Sequence, residues 1–212
     1  MKIVFSLAIA LSVISAPLLH AQGNDPATKE AREGSEAAKA GDWDKAIEAF
    51  RKAYEMNHKW GGDLAAALQQ RASASMKQNQ FQEAQTDFTE ALKIKPHDAG
   101  IHERRAYAEM KLGQMDQALA DYNEAIKIDP KEIRYYQIRS YIYEQKKDYK
   151  NSLADTDRIL KMDPNNAEAK ARKDRINKIQ ELANNQVGAT PIPAPPSTPT
   201  PSPTPGHKKH KG

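Results

Sequence analysis

The sequence predicts an all-α solenoid in which helical hairpins stack side by side. The first observation is a spacing of 34 residues between similar tetrapeptides, KIKP ending at Pro96, KIDP at Pro130 and KMDP at Pro164. A fixed period of this length is typical of stacked helix–turn–helix units. The second observation is that small residues recur at fixed places in each period, as close helix crossings require. Because one hairpin cannot bury its apolar face alone, neighbouring hairpins share a continuous core.

The small and aromatic residues form columns when the chain is written in rows of 34 residues. Three rows run over residues 65–166, and a fourth covers residues 27–60 upstream, with Gly61 to Leu64 inserted between them. Position 8 holds Gly34, Ala72, Ala106 and Ser140, and position 20 holds Ala46, Ala84, Ala118 and Ser152. Position 24 holds Phe50, Phe88, Tyr122 and Thr156, and position 27 holds Ala53, Ala91, Ala125 and Ile159.

These columns resemble the tetratricopeptide repeat family, which has a small residue at position 8, alanine at 20 and 27, an aromatic at 24 and proline at 32. The resemblance covers residues 27–166, with His58 in place of the proline in row one and the largest departures in row four. It implies a right-handed α-solenoid of four repeats, at residues 27–60, 65–98, 99–132 and 133–166. It also implies a protein-binding role without catalysis.

Polar residues mark where the helices begin and turn. Asp25 is expected to cap the first helix, with Pro26 at its first position. Asp44, Asp63 and Asp98 are the expected caps of later helices, and the expected turn residues are Gly41, Asn79, Gly113 and Lys147. Residues 167–186 are predicted to form a capping helix with one apolar stripe, made of Ala167, Ala171, Ile176, Ile179 and Leu182.

A charged pair recurs in rows two to four. These rows have arginine at position 7 and aspartate at position 23, namely Arg71 with Asp87, Arg105 with Asp121 and Arg139 with Asp155. Row one has neither, with Glu33 and Ala49 at these places. Since both members are present or absent together, we expect each pair to touch across its hairpin.

The first 21 residues, MKIVFSLAIALSVISAPLLHA, have the layout of a secretory signal peptide. A lysine precedes a long apolar run, and the small residue Ala21 suits cleavage before Gln22. A retained membrane anchor is the competing interpretation, but Pro17 and Ala21 favour removal. Residues 22–26 are then a linker. The sequence thus predicts an exported protein, periplasmic or secreted, without disulfides because it has no cysteine.

The charge distribution argues against a nucleic-acid partner. The formal net charge is +4, but residues 1–21 and the segment from Val187 hold four of the 32 basic residues and none of the 28 acidic ones. The body between them is therefore neutral, whereas nucleic-acid-binding faces are basic.

An enzyme, a cofactor site and a metal site are not expected. The chain has no glycine-rich phosphate loop, HExxH helix or EF-hand loop. His58, His97 and His102 fall at hairpin junctions without a serine, cysteine or carboxylate partner at helical spacing, so surface positions are expected for them.

The resemblance places a peptide-binding groove on the first helices of the repeats, at positions 2, 5, 9, 12 and 13. The implied groove residues are Lys39, Gln69, Ser73, Met76, Lys77, Glu103, Tyr107, Met110, Lys111, Arg134, Gln137, Tyr141 and Glu144. Lys39, Lys77 and Lys111 form a column beside two tyrosines, which suits an extended acidic peptide. Favourable placement of cations at helix ends explains the same lysines equally well. The family's carboxylate clamp for chaperone peptides is absent, since Ala31, Ser35 and Gln70 stand at its positions.

The segment from residue 187 onwards is expected to be a disordered spacer with a basic end. Residues 190–205 hold eight of the 13 prolines, and GHKKHKG follows. The predicted function is a protein- or peptide-binding scaffold in the cell envelope or extracellular space. The alternative is an adaptor whose basic tail binds an anionic partner while the repeats act as a spacer.

Overall fold

The computed structural model describes residues 25–187, and these residues form nine α-helices joined by short turns. The predicted signal peptide, most of the linker and nearly all of the tail lie outside the described residues. The helices are α1 (Pro26–Lys39), α2 (Trp43–Met56), α3 (Gly61–Lys77), α4 (Phe81–Ile94), α5 (Ala99–Lys111), α6 (Met115–Ile128), α7 (Ile133–Gln145), α8 (Tyr149–Met162) and α9 (Ala167–Val187). Among these nine, none combines the length and the apolar character that a membrane crossing needs.

The helices pack as four hairpins and a ninth helix. Helix α1 packs on α2, α3 on α4, α5 on α6 and α7 on α8. Each second helix also contacts the first helix of the next hairpin, and α9 packs on α8 in the same way. This arrangement is the all-α solenoid that the sequence predicts.

The four columns of small and aromatic residues form the core. Every residue at positions 8, 20, 24 and 27 of the four rows is buried. Gly34 shows why position 8 must be small, since a Cβ atom there would lie 2.9 Å from Cδ1 of Phe50. The ring at position 24 therefore rests directly on the backbone of the first helix, and the register deduced from the sequence is confirmed.

The turn residues behave as predicted. Gly41, Asn79, Gly113 and Lys147 all have positive φ angles, between 59° and 76°. Asp25 and Asp98 are confirmed as caps, because their carboxylates accept bonds from the amides of Thr28 and Ile101 at 3.3 and 3.1 Å.

Two predicted caps are wrong. Helix α2 begins two residues earlier than expected, so Asp42 caps it through the amide of Lys45 at 3.1 Å and Asp44 lies in its first turn. Helix α3 begins at Gly61, directly after a short 3-10 helix at His58–Trp60, and has no side-chain cap. Gly61 to Leu64 thus add one turn to α3, and Asp63 lies within that turn.

The predicted apolar stripe of α9 is also mostly wrong. The buried residues of α9 are Ala169, Arg172 and Ile176, whereas Ala167 and Ala171 are exposed. Ile179 and Leu182 are exposed too. Only Ile176 lies where the stripe predicted it, because α9 packs through the face that carries Arg172.

Arg172 explains why row four departs from the pattern. The small polar residues Ser140 and Ser152 stand where the other rows have alanine or glycine, and Ser152 donates to the carbonyl of Ser140 at 2.9 Å. Thr156 replaces the ring and donates to the carbonyl of Ser152 at 2.8 Å. Arg172 then donates to the hydroxyl of Ser140 at 2.5 Å. A polar network from the last helix therefore replaces part of the apolar core.

Candidate functional site

A largely apolar hollow lies between the first helices of the last two repeats and α9. Its volume is about 290 Å³, and its lining residues are Tyr107, Met110, Gln137, Ile138, Tyr141, Glu168 and Arg172. The two tyrosines stand one row apart, and each is 42% exposed. Exposed rings of this size beside a hollow provide apolar contact area and a hydroxyl donor for a ligand.

Four of the lining residues, Tyr107, Met110, Gln137 and Tyr141, belong to the predicted groove. The structure brings these four together around one hollow. Three further lining residues, Ile138, Glu168 and Arg172, were not predicted from the sequence. If α9 is numbered as the start of a fifth row, Glu168 stands at position 2 and Arg172 at position 6. This numbering could have indicated that α9 continues the groove.

Three other predicted groove residues, Gln69, Glu103 and Arg134, join successive first helices instead of standing free. Arg104 of α5 donates to Gln69 of α3 at 2.7 Å. Arg134 of α7 donates to Glu103 of α5 at 2.8 Å. Burial raises the pKa of Glu103, and the charge of Arg134 opposes that shift. These bridges join the first helices of successive repeats.

Glu144 is covered by α9. Its carboxylate accepts bonds from Arg175 at 2.7 and 3.0 Å and from Arg172 at 3.1 Å. The bonds and charge of Arg175, assisted by Arg172, lower the pKa of Glu144. Glu144 therefore anchors the last helix, and it is not free to meet a peptide as the groove prediction required.

The three lysines of the column have different surroundings. Lys39 is paired with Glu36 at 3.0 Å. The ammonium of Lys111 lies 5.2 Å from the ring centroid of Tyr107, as in a cation–π contact. Lys77 is exposed, and within residues 25–187 it has no carboxylate within 4.0 Å. Lys111 therefore lies next to the hollow through Tyr107, and Lys77 provides a second exposed positive charge on α3.

The remaining predicted groove residues, Ser73 and Met76, are held by contacts within the first two repeats. Ser73 bonds back to the carbonyl of Gln69 at 2.7 Å. Met76 is half-buried against the core of the first two repeats.

The predicted arginine–aspartate pairs hold the scaffold beneath the groove. In each pair Nε and Nη2 of the arginine donate to the two carboxylate oxygens. The two distances are 2.9 and 2.7 Å for Arg71 with Asp87, 2.7 and 2.7 Å for Arg105 with Asp121, and 2.8 and 2.6 Å for Arg139 with Asp155. The remaining Nη1 reaches the preceding repeat, where it donates to Asp44, Thr89 or Asn123. Each arginine thus joins its own hairpin to the one before it.

His102 is buried, which contradicts the surface position expected from the sequence. Its Nδ1 lies 2.9 Å from Oδ1 of Asp121, and its Nε2 lies 3.1 Å from the carbonyl oxygen of Pro96. The ring therefore bridges the carboxylate of Asp121 and the backbone at Pro96. His102 supports the Arg105–Asp121 pair, and this role is structural.

Comparisons with known proteins agree with this architecture. Two family profiles, each described as tetratricopeptide repeat, match residues 69–133 and 133–166. Comparison with curated protein sequences finds no match.

Several solved structures are similar to this chain. The Arabidopsis OM64 TPR domain is 30% identical, with 54% of this chain and 95% of that chain covered and a TM-score of 0.50. The first TPR of Spaghetti (RPAP3), bound to the HSP90 peptide SRMEEVD, is 25% identical, with 56% and 93% covered and a TM-score of 0.50. A tetratricopeptide repeat protein from Parabacteroides merdae shares the fold at 23% identity, 75% and 62% coverage and a TM-score of 0.58. From its repeats, its packing and these similarities, the chain belongs to the tetratricopeptide repeat family.

Proposed function

We propose that this protein is a non-catalytic scaffold that binds an extended segment of a partner protein in the groove of its first helices. The observation that carries the proposal is the hollow between Tyr107 and Tyr141, whose rings are exposed and whose walls are mostly apolar. Arrays of helical hairpins present such surfaces to extended ligands. An aliphatic or aromatic side chain of the partner would fill the hollow.

Acidic residues next to that side chain would meet Lys111 and Lys77. These two lysines follow the hollow along the groove, and neither forms an ion pair with a described residue. The peptide in the Spaghetti structure combines acidic residues with a methionine. The present chain must hold such a segment differently, because Ala31, Ser35 and Gln70 stand where clamp residues would be needed.

A selected peptide tests the proposal. Peptides would be selected on residues 22–212 from a displayed random library, and their affinities measured by fluorescence anisotropy. Replacing Tyr107 and Tyr141 with alanine should weaken binding about tenfold or more, as loss of a central aromatic anchor does. Ile128→Ala is the control, because Ile128 is exposed on α6 and does not line the hollow. Equal losses in the two variants would refute the groove as the binding site.

The charge preference has its own test. Lys77→Glu combined with Lys111→Glu should weaken an acidic peptide about tenfold, since each tenfold loss corresponds to about 1.4 kcal/mol. Lys150→Glu combined with Lys170→Glu is the matched control, because both lysines are exposed elsewhere. Unchanged affinity in the groove variant, with an unchanged thermal melt, would refute the acidic preference while leaving the hollow intact.

We further propose that the scaffold acts in the cell envelope or outside the cell, on the strength of residues 1–21. Sequencing the amino terminus of the protein recovered from its native compartment tests this. A mature start at Gln22 supports export, and a retained Met1 in a cytosolic fraction refutes it.

A further inference from the structure

We infer that the proline-rich tail of this chain, residues 190–205, binds in the hollow between Tyr107 and Tyr141 and thereby competes with partner peptides. The inference rests on the proposed function, because it assigns a second occupant to the same groove.

Most of the exposed large apolar side chains lie at the hollow or on α9. Six large apolar side chains of the described residues are exposed, and four of them are Tyr107, Tyr141, Ile179 and Leu182. The two tyrosines flank the hollow. Ile179 and Leu182 lie on α9, whose earlier residues Glu168 and Arg172 form one wall of the hollow.

One face of α9, here called the path, runs from the hollow towards the end of the helix. Glu168, Arg172, Arg175, Ile179 and Leu182 are spaced by four, three, four and three residues, so they share one face of α9. That face begins at the hollow and becomes apolar towards the end of the helix. The tail starts where this path ends.

The length of the tail suits a return along the path. From Arg172 to Val187, α9 rises roughly 22 Å at about 1.5 Å per residue. An extended chain covers this distance in roughly seven residues at about 3.3 Å each. Gly188 directly follows the helix, and glycine at this place allows the chain to reverse. Residues from about Pro195 onwards can therefore reach the level of Arg172, which lines the hollow.

The prolines recur with a period that suits binding to aromatic rings. Pro193, Pro196 and Pro199 are three residues apart, and a polyproline II helix places every third residue on one face. A segment bound in this conformation would present a proline about every 9 Å. Proline-rich segments bind grooves lined by aromatic rings, and the hydroxyls of Tyr107 and Tyr141 can donate to their free carbonyls.

The test uses the full chain, which has no cysteine of its own. A nitroxide is attached to a Ser197→Cys variant, and isoleucine methyl signals are recorded by NMR. The signals of Ile138 in the hollow and Ile179 on the path should broaden. Ile128 is the matched control, because it is 37% exposed like Ile179 but lies on α6. Replacing Pro193, Pro196 and Pro199 with alanine should abolish the broadening, and replacing Pro191, Pro201 and Pro203 should not.

A competition experiment measures the effect on binding. A selected groove peptide should bind about tenfold more tightly to a chain ending at Val187, because a tethered tail has an effective concentration in the millimolar range. Equal affinities, or no broadening at Ile138 and Ile179, would overturn the inference. The isoleucine signals could instead broaden only when the nitroxide is on a different copy of the chain. That result would show that the tail of a second copy occupies the hollow, and it would also overturn the inference. In any of these cases a peptide that still binds through Tyr107 and Tyr141 leaves the proposed function standing.

Discussion

The arginine–aspartate pair of the last repeat allows the clearest measurement of what holds the solenoid together. Arg139 donates to both oxygens of Asp155 at 2.8 and 2.6 Å, and the two side chains are only 18% and 7% exposed. Removing either partner leaves a charge in a largely buried site, which costs about 3–5 kcal/mol. Arg139→Met and Asp155→Ala should therefore each lower the free energy of unfolding by roughly 3 kcal/mol.

The double variant separates the pair from everything else that Arg139 touches. Arg139 also donates to Asn123 at 2.6 Å and lies 5.6 Å from the ring centroid of Tyr136. Arg139→Met removes both contacts whether or not Asp155 is also replaced, so their contribution cancels in a double-mutant cycle. The coupling that remains should be about 2–3 kcal/mol, from two charge-assisted bonds.

Urea unfolding followed by circular dichroism provides the four free energies. The control cycle uses Lys173 and Asp157, whose ion pair is 2.8 Å long but 43% and 51% exposed. An exposed pair of this kind couples by about 0.5 kcal/mol. A coupling for Arg139 and Asp155 no larger than that of the control would show that the ladder does not fix the hairpins.

Two further predictions concern packing and pH. Ala118→Leu should lower the free energy of unfolding by about 1–3 kcal/mol, because Ala118 is fully buried at a helix crossing; a urea midpoint equal to that of the wild type would show that position 20 does not lie at a close crossing. Glu144 has a lowered pKa, so its stabilising contribution is present above the unfolded value of about 4.3 and is lost as the pH falls through the folded value. Glu144→Gln should therefore lower the free energy of unfolding by about 1.5–3 kcal/mol at neutral pH, and the variant should lose less stability than the wild type as the pH falls. Parallel curves of unfolding free energy against pH for the two proteins would contradict the anchoring role.

The repetitive part of the fold was predictable from the sequence because each column is set by a local steric need. Gly34 lies against Phe50 with no room for a Cβ atom, and rows two and three repeat the spacing of 16 positions with the small alanines Ala72 and Ala106 and the buried rings Phe88 and Tyr122. The arginine–aspartate pairs were predictable for a related reason. Both partners change together between rows. The same hairpin geometry brings positions 7 and 23 together in each of rows two to four.

Features that depend on a single place in the chain were harder to predict. Asp42 and Asp44 are equally good caps by composition, and only the start of α2 at Trp43 decides between them. His102 looked like a junction residue because its partner Asp121 lies 19 positions away, across the hairpin. Glu144 was expected to be free because nothing in its own row indicates that two arginines of α9 will cover it.

Arg172 connects the irregular end of the array to the candidate site. A ring at position 24 of row four would occupy space near Ser140 and Ser152, where the guanidinium of Arg172 now ends. The same guanidinium donates to the backbone carbonyl of Gln137 at 3.2 Å, and Gln137 and Arg172 both line the hollow. The departures from the repeat pattern at Ser140, Ser152 and Thr156 therefore do more than weaken a core. They admit a polar side chain that joins α9 to α7, and Arg172 together with Glu168 forms the wall that α9 contributes to the hollow.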